Sequence, residues 1–338
     1  MNMQAVGKSH RGFSLVELMV AMVIGFIVVG AVGYLYLGSR QTFRTQTNLS
    51  GIQESARFAL STLAQNIRMA GYFGCAGSNA TITNVLNNPS AFDNNFTQPL
   101  TGFDASGATW SPALPATLSG ANPAPLAGTD VITLRTVDGG GIEVAKQTLS
   151  SADLQVNSSK SLNIGDIAVV TNCSQAAVFQ ITNLNNNGAS FNVVHQTGNL
   201  TPGNAQNSLG TSYTGGQLIK VATKSYYIGL NPAGVPALYE LDSYGTPQEL
   251  ADGVQNMQIL YGIDTNNDGS ADQYVTASNV TNWNQVVSVR IMLLLVGTED
   301  HITSAKQSLQ YNGGTFTAPD NKLYQTITTT VALRNRIP

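Results

Sequence analysis

Residues 18–39 form a run of 22 positions without a charged side chain, and this run constrains the chain more than any other feature. At about 1.5 Å rise per residue a helix over it is about 33 Å long, enough to cross a hydrocarbon core of about 30 Å. Lys8, His10 and Arg11 precede it, which places the start of the chain on the cytoplasmic side of a membrane and everything after Arg40 beyond it. An ordinary secretory signal fits poorly. Its apolar core spans about 7–15 residues, and its small-residue cleavage site follows the core. Here the small residue suited to cleavage, Gly12, comes before the run.

Glu17 stands one turn into this apolar helix, where an isolated carboxylate is unfavourable. A cut between Gly12 and Phe13 would supply a partner, because the new α-amine of Phe13 is cationic and lies about one turn away. Between packed helices that amine would face the Glu17 of a neighbour.

Beyond Arg40 the pattern becomes one-sided. Ile52, Ala56, Ala59, Leu60, Leu63 and Ile67 recur at helical spacing, while Gln53, Glu54, Arg57, Gln65 and Arg68 occupy other faces. The spacing predicts one helix from residue 14 to about 70, with Gly51 as a candidate bend and Gly71 as its stop. Residues 78–128 are rich in Asn, Pro, Ala and Gly, with prolines at 89, 99, 112, 115, 123 and 125. They read as a long surface loop insertion.

From residue 129 onward, short β-branched and aromatic runs predict strands over 131–136, 167–171, 178–182, 191–194, 218–222, 225–228 and 238–241. Longer strands are predicted over 254–261 and 286–296, the latter central, and a last strand over 327–333. Charged residues make up only 10% of the chain and the formal net charge is −3. No basic tract lies outside the first 11 residues, so no nucleic-acid footprint is present. Cys75 and Cys173 fall in the same compartment. If that compartment is oxidising, a disulfide is the default reading, with two unpaired buried thiols as the alternative.

The stretch Arg11-Gly12-Phe13-Ser14-Leu15-Val16-Glu17-Leu18 resembles the processing signal of type IV pilins and type II secretion pseudopilins. The chain is also similar to the PilW-type minor pilins of type IV pili. This second resemblance rests on the signal, on a stem ending Arg68-Met69-Ala70-Gly71-Tyr72-Phe73-Gly74-Cys75, and on the second cysteine at 173. It rests further on the segment Tyr261-Gly262-Ile263-Asp264 and on the ending Thr330-Val331-Ala332-Leu333-Arg334-Asn335-Arg336.

The resemblance implies an α+β lollipop: a long N-terminal helix packed on a mainly antiparallel β-sheet head. Residues 1–12 would be a cytoplasmic leader, 13–39 the membrane and filament-core helix, 40–71 the amphipathic half of the stem, and 72–338 the head. It implies a prepilin peptidase that cuts between Gly12 and Phe13 and methylates Phe13, with Glu17 guiding docking. The implied partners are other minor pilins, the major pilin and a large tip adhesin. The implied location is the inner membrane with the head in the periplasm, and then the pilus. Major pilins usually carry a proline at mid-helix; this chain has Gly25, Gly30 and Gly33 instead. Two other readings remain open, a type II secretion minor pseudopilin and an uncleaved single-pass sensor or binding protein.

Asp264, Asn266, Asp268, Ser270 and Asp272 alternate around Gly269. Alternating oxygen donors about a glycine turn can wrap Ca²⁺, with four side chains and the Ser270 backbone carbonyl as ligands in a structural role. The twelfth position is Val275 rather than Glu, which removes the bidentate ligand. The alternative is a hairpin loop between 258–263 and 273–276. The chain has three histidines, of which His195 and His301 lie beyond the signal, isolated in sequence. No nucleophile-elbow, zinc-protease or phosphate-loop pattern is present, so nothing points to an enzyme.

Overall fold

The computed structural model describes residues 12–335, except 77–79, 150, 159–160, 187, 189 and 199. Residues 1–11 of the expected leader, and Arg336, lie outside the described residues.

A single 55-residue helix, Leu15–Met69, forms the stem and runs without interruption through Gly51. Residues 12–43 are exposed on every side. Burial begins lower down, as a stripe of Asn48, Ile52, Ala56, Ala59, Leu63 and Ile67. Steps of three and four residues keep these positions on one face. Ala56 and Ala59 are small enough to bring the helix axis close to the strands beneath. The helix ends where the sequence places glycine. Gly71 has φ +70°, and a Cβ there would lie 2.7 Å from the Pro99 side chain, so both backbone and space require glycine.

The stripe packs on a four-stranded antiparallel sheet ordered Gln273–Val275, Val254–Ile263, Val286–Val296, Tyr324–Ala332. Val286–Val296 is central, as its apolar run predicts, because both of its faces are covered. Val289, Ile291, Leu293 and Leu295 join the stem core, while Leu294 and Val296 pack with Ala318 and Tyr324 on the other side.

A second, 13-stranded network forms the rest of the head around Gln217–Leu230. This strand corrects the expectation of two strands over 218–222 and 225–228. Two polar residues link those runs without breaking them. Thr223 donates its hydroxyl to the Asp93 carbonyl, and Lys224 pairs with Glu240 at 3.0 Å. The first half of the strand pairs with Ile167–Thr171 and the second with Val131–Val137 and Pro236–Asp242.

The expected loop insertion over 78–128 is also corrected. Thr81–Asn84 adds in parallel to Gln175–Gln180, and Leu100–Ser106 pairs with Val131–Val137. Val85, Leu86, Phe96, Leu100, Phe103 and Leu118 are buried. The prolines keep the elements short but do not keep the segment at the surface. Asparagine side chains satisfy backbone groups where ladders are missing: Asn84 donates to the Asn94 carbonyl at 2.7 Å, and Asn94 to the Asn87 carbonyl at 2.9 Å. Arg135 is buried beneath this segment and donates to the carbonyls of Phe92 and Gln98 and to the Thr101 hydroxyl. Burial pushes its guanidinium down to about 10.

Asp130 joins the two sheets. It accepts from Ala105 N–H at 2.9 Å on one side and Ile259 N–H at 2.8 Å on the other. Burial raises its carboxyl to about 7, against the lowering effect of those two bonds. A carboxyl raised in the folded state favours folding when protonated. Its contribution is therefore complete below about pH 4 and is lost as pH rises through 7. His195, pushed down to about 4 by burial, acts in the opposite sense, losing stability as pH falls below about 6.5. The thermal midpoint of an Asp130→Asn variant should therefore decline less between pH 5 and 8 than that of the native protein. Equal declines in calorimetry across that range would contradict the assignment.

Candidate assembly site on the stem

The local geometry at the start of the helix follows from four residues. Gly12 has open space around it, and Phe13 is 90% exposed. Ser14 is the N-cap. Its hydroxyl accepts from Glu17 N–H at 3.2 Å, and its own N–H donates to Glu17 Oε2 at 3.0 Å. This reciprocal pair is a capping box, which satisfies two N–H groups that a helix terminus otherwise leaves unpaired. An acid in the first turn is also favoured by the helix dipole.

The geometry revises one expectation. In the uncut chain Glu17 is not without a partner: it holds the backbone N–H of Ser14. The reading from sequence missed Ser14 as a positioning residue, although Ser-x-x-Glu before an apolar run is the signal that finds it. The carboxylate therefore points back to the Phe13–Ser14 peptide.

From Leu18 to Ser39 the exposed surface of the stem carries no charge. Its most apolar 18-residue window buries none of its area in the fold, although its mean hydropathy is 2.7. Gly25, Gly30 and Gly33 have no atoms near the position a Cβ would take. Small residues on a bare apolar helix permit close approach of other helices. This surface is complete only against lipid or other stems.

Cys75 and Cys173 are joined, with Cα atoms 4.6 Å apart and a sequence separation of 98. Both are exposed rather than buried. The bond fixes the chain just past the stem to the turn between Ile167–Thr171 and Gln175–Gln180.

In the structure the oxygens of the acidic loop are engaged within the loop itself. Asp264 accepts from the N–H groups of Asn267, Asp268 and Gly269 at 2.6, 3.3 and 2.8 Å. Asp268 accepts from Ser270 N–H and from the Asn266 amide, and Asp272 accepts from the N–H and hydroxyl of Thr265. The bonds from Thr265 hold the Asp272 carboxyl below its usual range. Among the described residues no group of three His, Cys, Asp or Glu side chains is placed to hold a metal. The donors of Asp264, Asn266, Asp268 and Asp272 close the loop on itself, and Ser270 serves it through its N–H. A hairpin brackets the loop, with Tyr261–Ile263 paired to Gln273–Val275.

The histidines are not brought together with a nucleophile. His195 is fully buried, 5.0 Å from the Phe179 ring, and neither ring nitrogen has a hydrogen-bond partner. His301 is exposed beside Asp300.

Two family matches fall on these features. The prokaryotic N-terminal methylation motif matches residues 7–33, which include Gly12, Phe13, Ser14 and Glu17. The family described as Type IV Pilus-assembly protein W, PilW, matches residues 225–335. That span covers the four-stranded sheet on which the stem packs, together with the Tyr261–Asp264 segment and the chain ending up to Asn335. The cysteine pair and the end of the stem lie outside it. No curated protein and no solved structure matches the chain. The methylation motif on the bare apolar helix and the PilW match on the sheet that receives it together support a PilW-type, type IV pilus-related pilin.

Proposed function

We propose that the protein is a minor pilin that primes assembly of a type IV pilus or caps it. Prepilin peptidase cuts between Gly12 and Phe13 and methylates the new N-terminus. The stem then leaves the inner membrane for a complex of minor pilins that carries a large tip adhesin and meets the major pilin. The head stays on the periplasmic side until export at the pilus tip. The protein acts as a structural subunit, not as an enzyme.

The observation that carries this reading is a helix whose first 29 positions, residues 15–43, all remain exposed in their own fold while Glu17 sits at their cap. Such a surface needs lipid before assembly and neighbouring stems after it. The PilW match supports a pilus over a type II secretion pseudopilus. Deleting the gene should abolish surface pili and twitching while leaving protein secretion intact. Normal piliation together with lost secretion would transfer the protein to the secretion machine.

A further inference from the structure

The last strand, Tyr324–Ala332, ends the four-stranded sheet and is paired along one edge only, to Val286–Val296. Its two ends show which backbone groups face which way. The Leu323 carbonyl accepts from Gly297 N–H, and Leu333 N–H donates to the Val287 carbonyl, so odd-numbered positions face the central strand. Backbone direction alternates along a strand, so positions 324, 326, 328, 330 and 332 turn their groups outward. Tyr324 finds a partner in the Gln307 side chain, whose amide stands in for a neighbouring peptide. Its oxygen accepts from Tyr324 N–H at 2.7 Å, and its nitrogen donates to the Tyr324 carbonyl at 3.5 Å. Among the described residues the outward N–H and C=O groups of Thr326, Thr328, Thr330 and Ala332 bond to nothing. Exposed edges are usually blunted by Lys, Pro or a bulge. This strand contains no charge and no proline, and its register is unbroken.

A groove of about 930 Å³ lies beside the same edge, lined by Arg57, Leu60, Ala64 and Arg68 of the stem and by Arg334 and Asn335 of the chain ending. The strand runs alongside the stem. At one end Glu299, two residues past the Gly297 that meets Leu323, donates its N–H to the Asn48 side chain. At the other end Asn335 donates to the Arg68 carbonyl. Ile327 and Val331 face the stem, and the groove continues that face past the open edge. No carboxylate lines it. Among the described residues none of its three arginines is ion-paired.

We propose that an extended, acidic segment of a different protein adds to this edge as a further strand. The free groups from Thr326 to Ala332 match about seven residues of extended backbone. The Gln307 contact shows that the edge bonds amide groups. Alternate side chains of the added strand enter the groove, where Leu60 and Ala64 favour apolar residues and the arginines favour Asp or Glu. The intervening side chains lie beside Thr326, Thr328 and Thr330. Two copies of this chain meeting edge to edge would bring two sets of arginines together, so charge disfavours the chain itself as occupant.

The test uses the full-length protein in mild detergent. The probe is the end-capped peptide Thr-Glu-Thr-Leu-Thr-Val-Thr-Glu-Thr, whose Glu, Leu and Val face the groove while its Thr N–H groups face the edge. The peptide should bind and should slow hydrogen exchange at Thr326, Thr328 and Thr330 roughly tenfold or more. N-methylation of its three central threonines should weaken binding roughly tenfold or more, whereas N-methylation of its Leu and Val should change binding by less than about twofold. In the protein, Thr328→Pro removes one outward N–H without touching the ladder to Val286–Val296. Arg57→Glu/Arg334→Glu reverses two exposed charges. Each variant should weaken binding roughly tenfold. Retention of the Cys75–Cys173 bond on a non-reducing gel and an unchanged melting midpoint verify that each variant folds.

Equal binding of the two methylated peptides would reduce the contact to charge and overturn the proposal. So would absence of binding by the native chain, protection confined to residues outside 326–332, or full binding by folded Thr328→Pro. Dimers of the native chain that exclude the peptide would make a second copy the occupant and overturn it as well. None of these outcomes depends on cleavage at Gly12, so failure here is distinguishable from failure of the pilin reading.

Discussion

A Glu17→Gln variant should insert in the membrane, fold and form its disulfide, yet be depleted from sheared surface filaments roughly tenfold or more. The substitution separates two roles that Glu17→Ala removes together. Glutamine at this position can still accept the Ser14 N–H, so the capping box survives. What disappears is the negative charge. On the proposed reading, cleavage leaves a cationic α-amine on Phe13 that enters an apolar filament core, where an unpaired charge is strongly unfavourable. If Glu17→Gln enters filaments as efficiently as the native chain while Glu17→Ala does not, the residue acts through the cap and not through charge. Immunoblots of sheared filaments against total membranes make the comparison.

Replacing both cysteines with serine should produce the largest loss of stability available from two exposed positions. With a sequence separation of 98 between Cys75 and Cys173, the chain-entropy account gives about 4–5 kcal/mol for the closed loop. At about 2–4 °C per kcal/mol for a domain of this size, the melting midpoint should fall by about 10 °C or more. Serine at either site meets water, so the loss isolates the cross-link from packing. Reductant should lower the native midpoint by a similar amount and leave the variant unchanged. A shift of only a degree or two in circular-dichroism melts would mean that the open chain is already confined in this region.

The legible parts of the chain were those where one physical requirement acts alone. The apolar stem is set by lipid, and its lower half by a stripe at helical period, so both could be read directly. Val286–Val296 was legible because a strand covered on both faces reads as continuous apolar sequence. Residues 78–128 were not, because asparagine side chains stand in for ladder bonds and a buried arginine, Arg135, donates through its two terminal nitrogens to three neighbours drawn from that segment. Composition alone makes such a segment look like loop.

The Asp264–Asp272 stretch is ambiguous in sequence for a related reason. Oxygen donors spaced for a cation are equally spaced to accept the N–H groups of a tight turn, and Asp264 does so three times. At the stem, Glu17 was found by its charge in an apolar run. Ser14 was overlooked because its contribution is a hydrogen bond rather than a charge.

The central claim is that this helix is trimmed and then assembled, and the N-terminus of the mature chain tests it most directly. Terminal sequencing or mass spectrometry of protein recovered from membranes should find N-methylphenylalanine at Phe13, followed by Ser14, Leu15, Val16 and Glu17. A mature chain that still begins at Met1 would contradict the account and leave an uncleaved single-pass protein in its place.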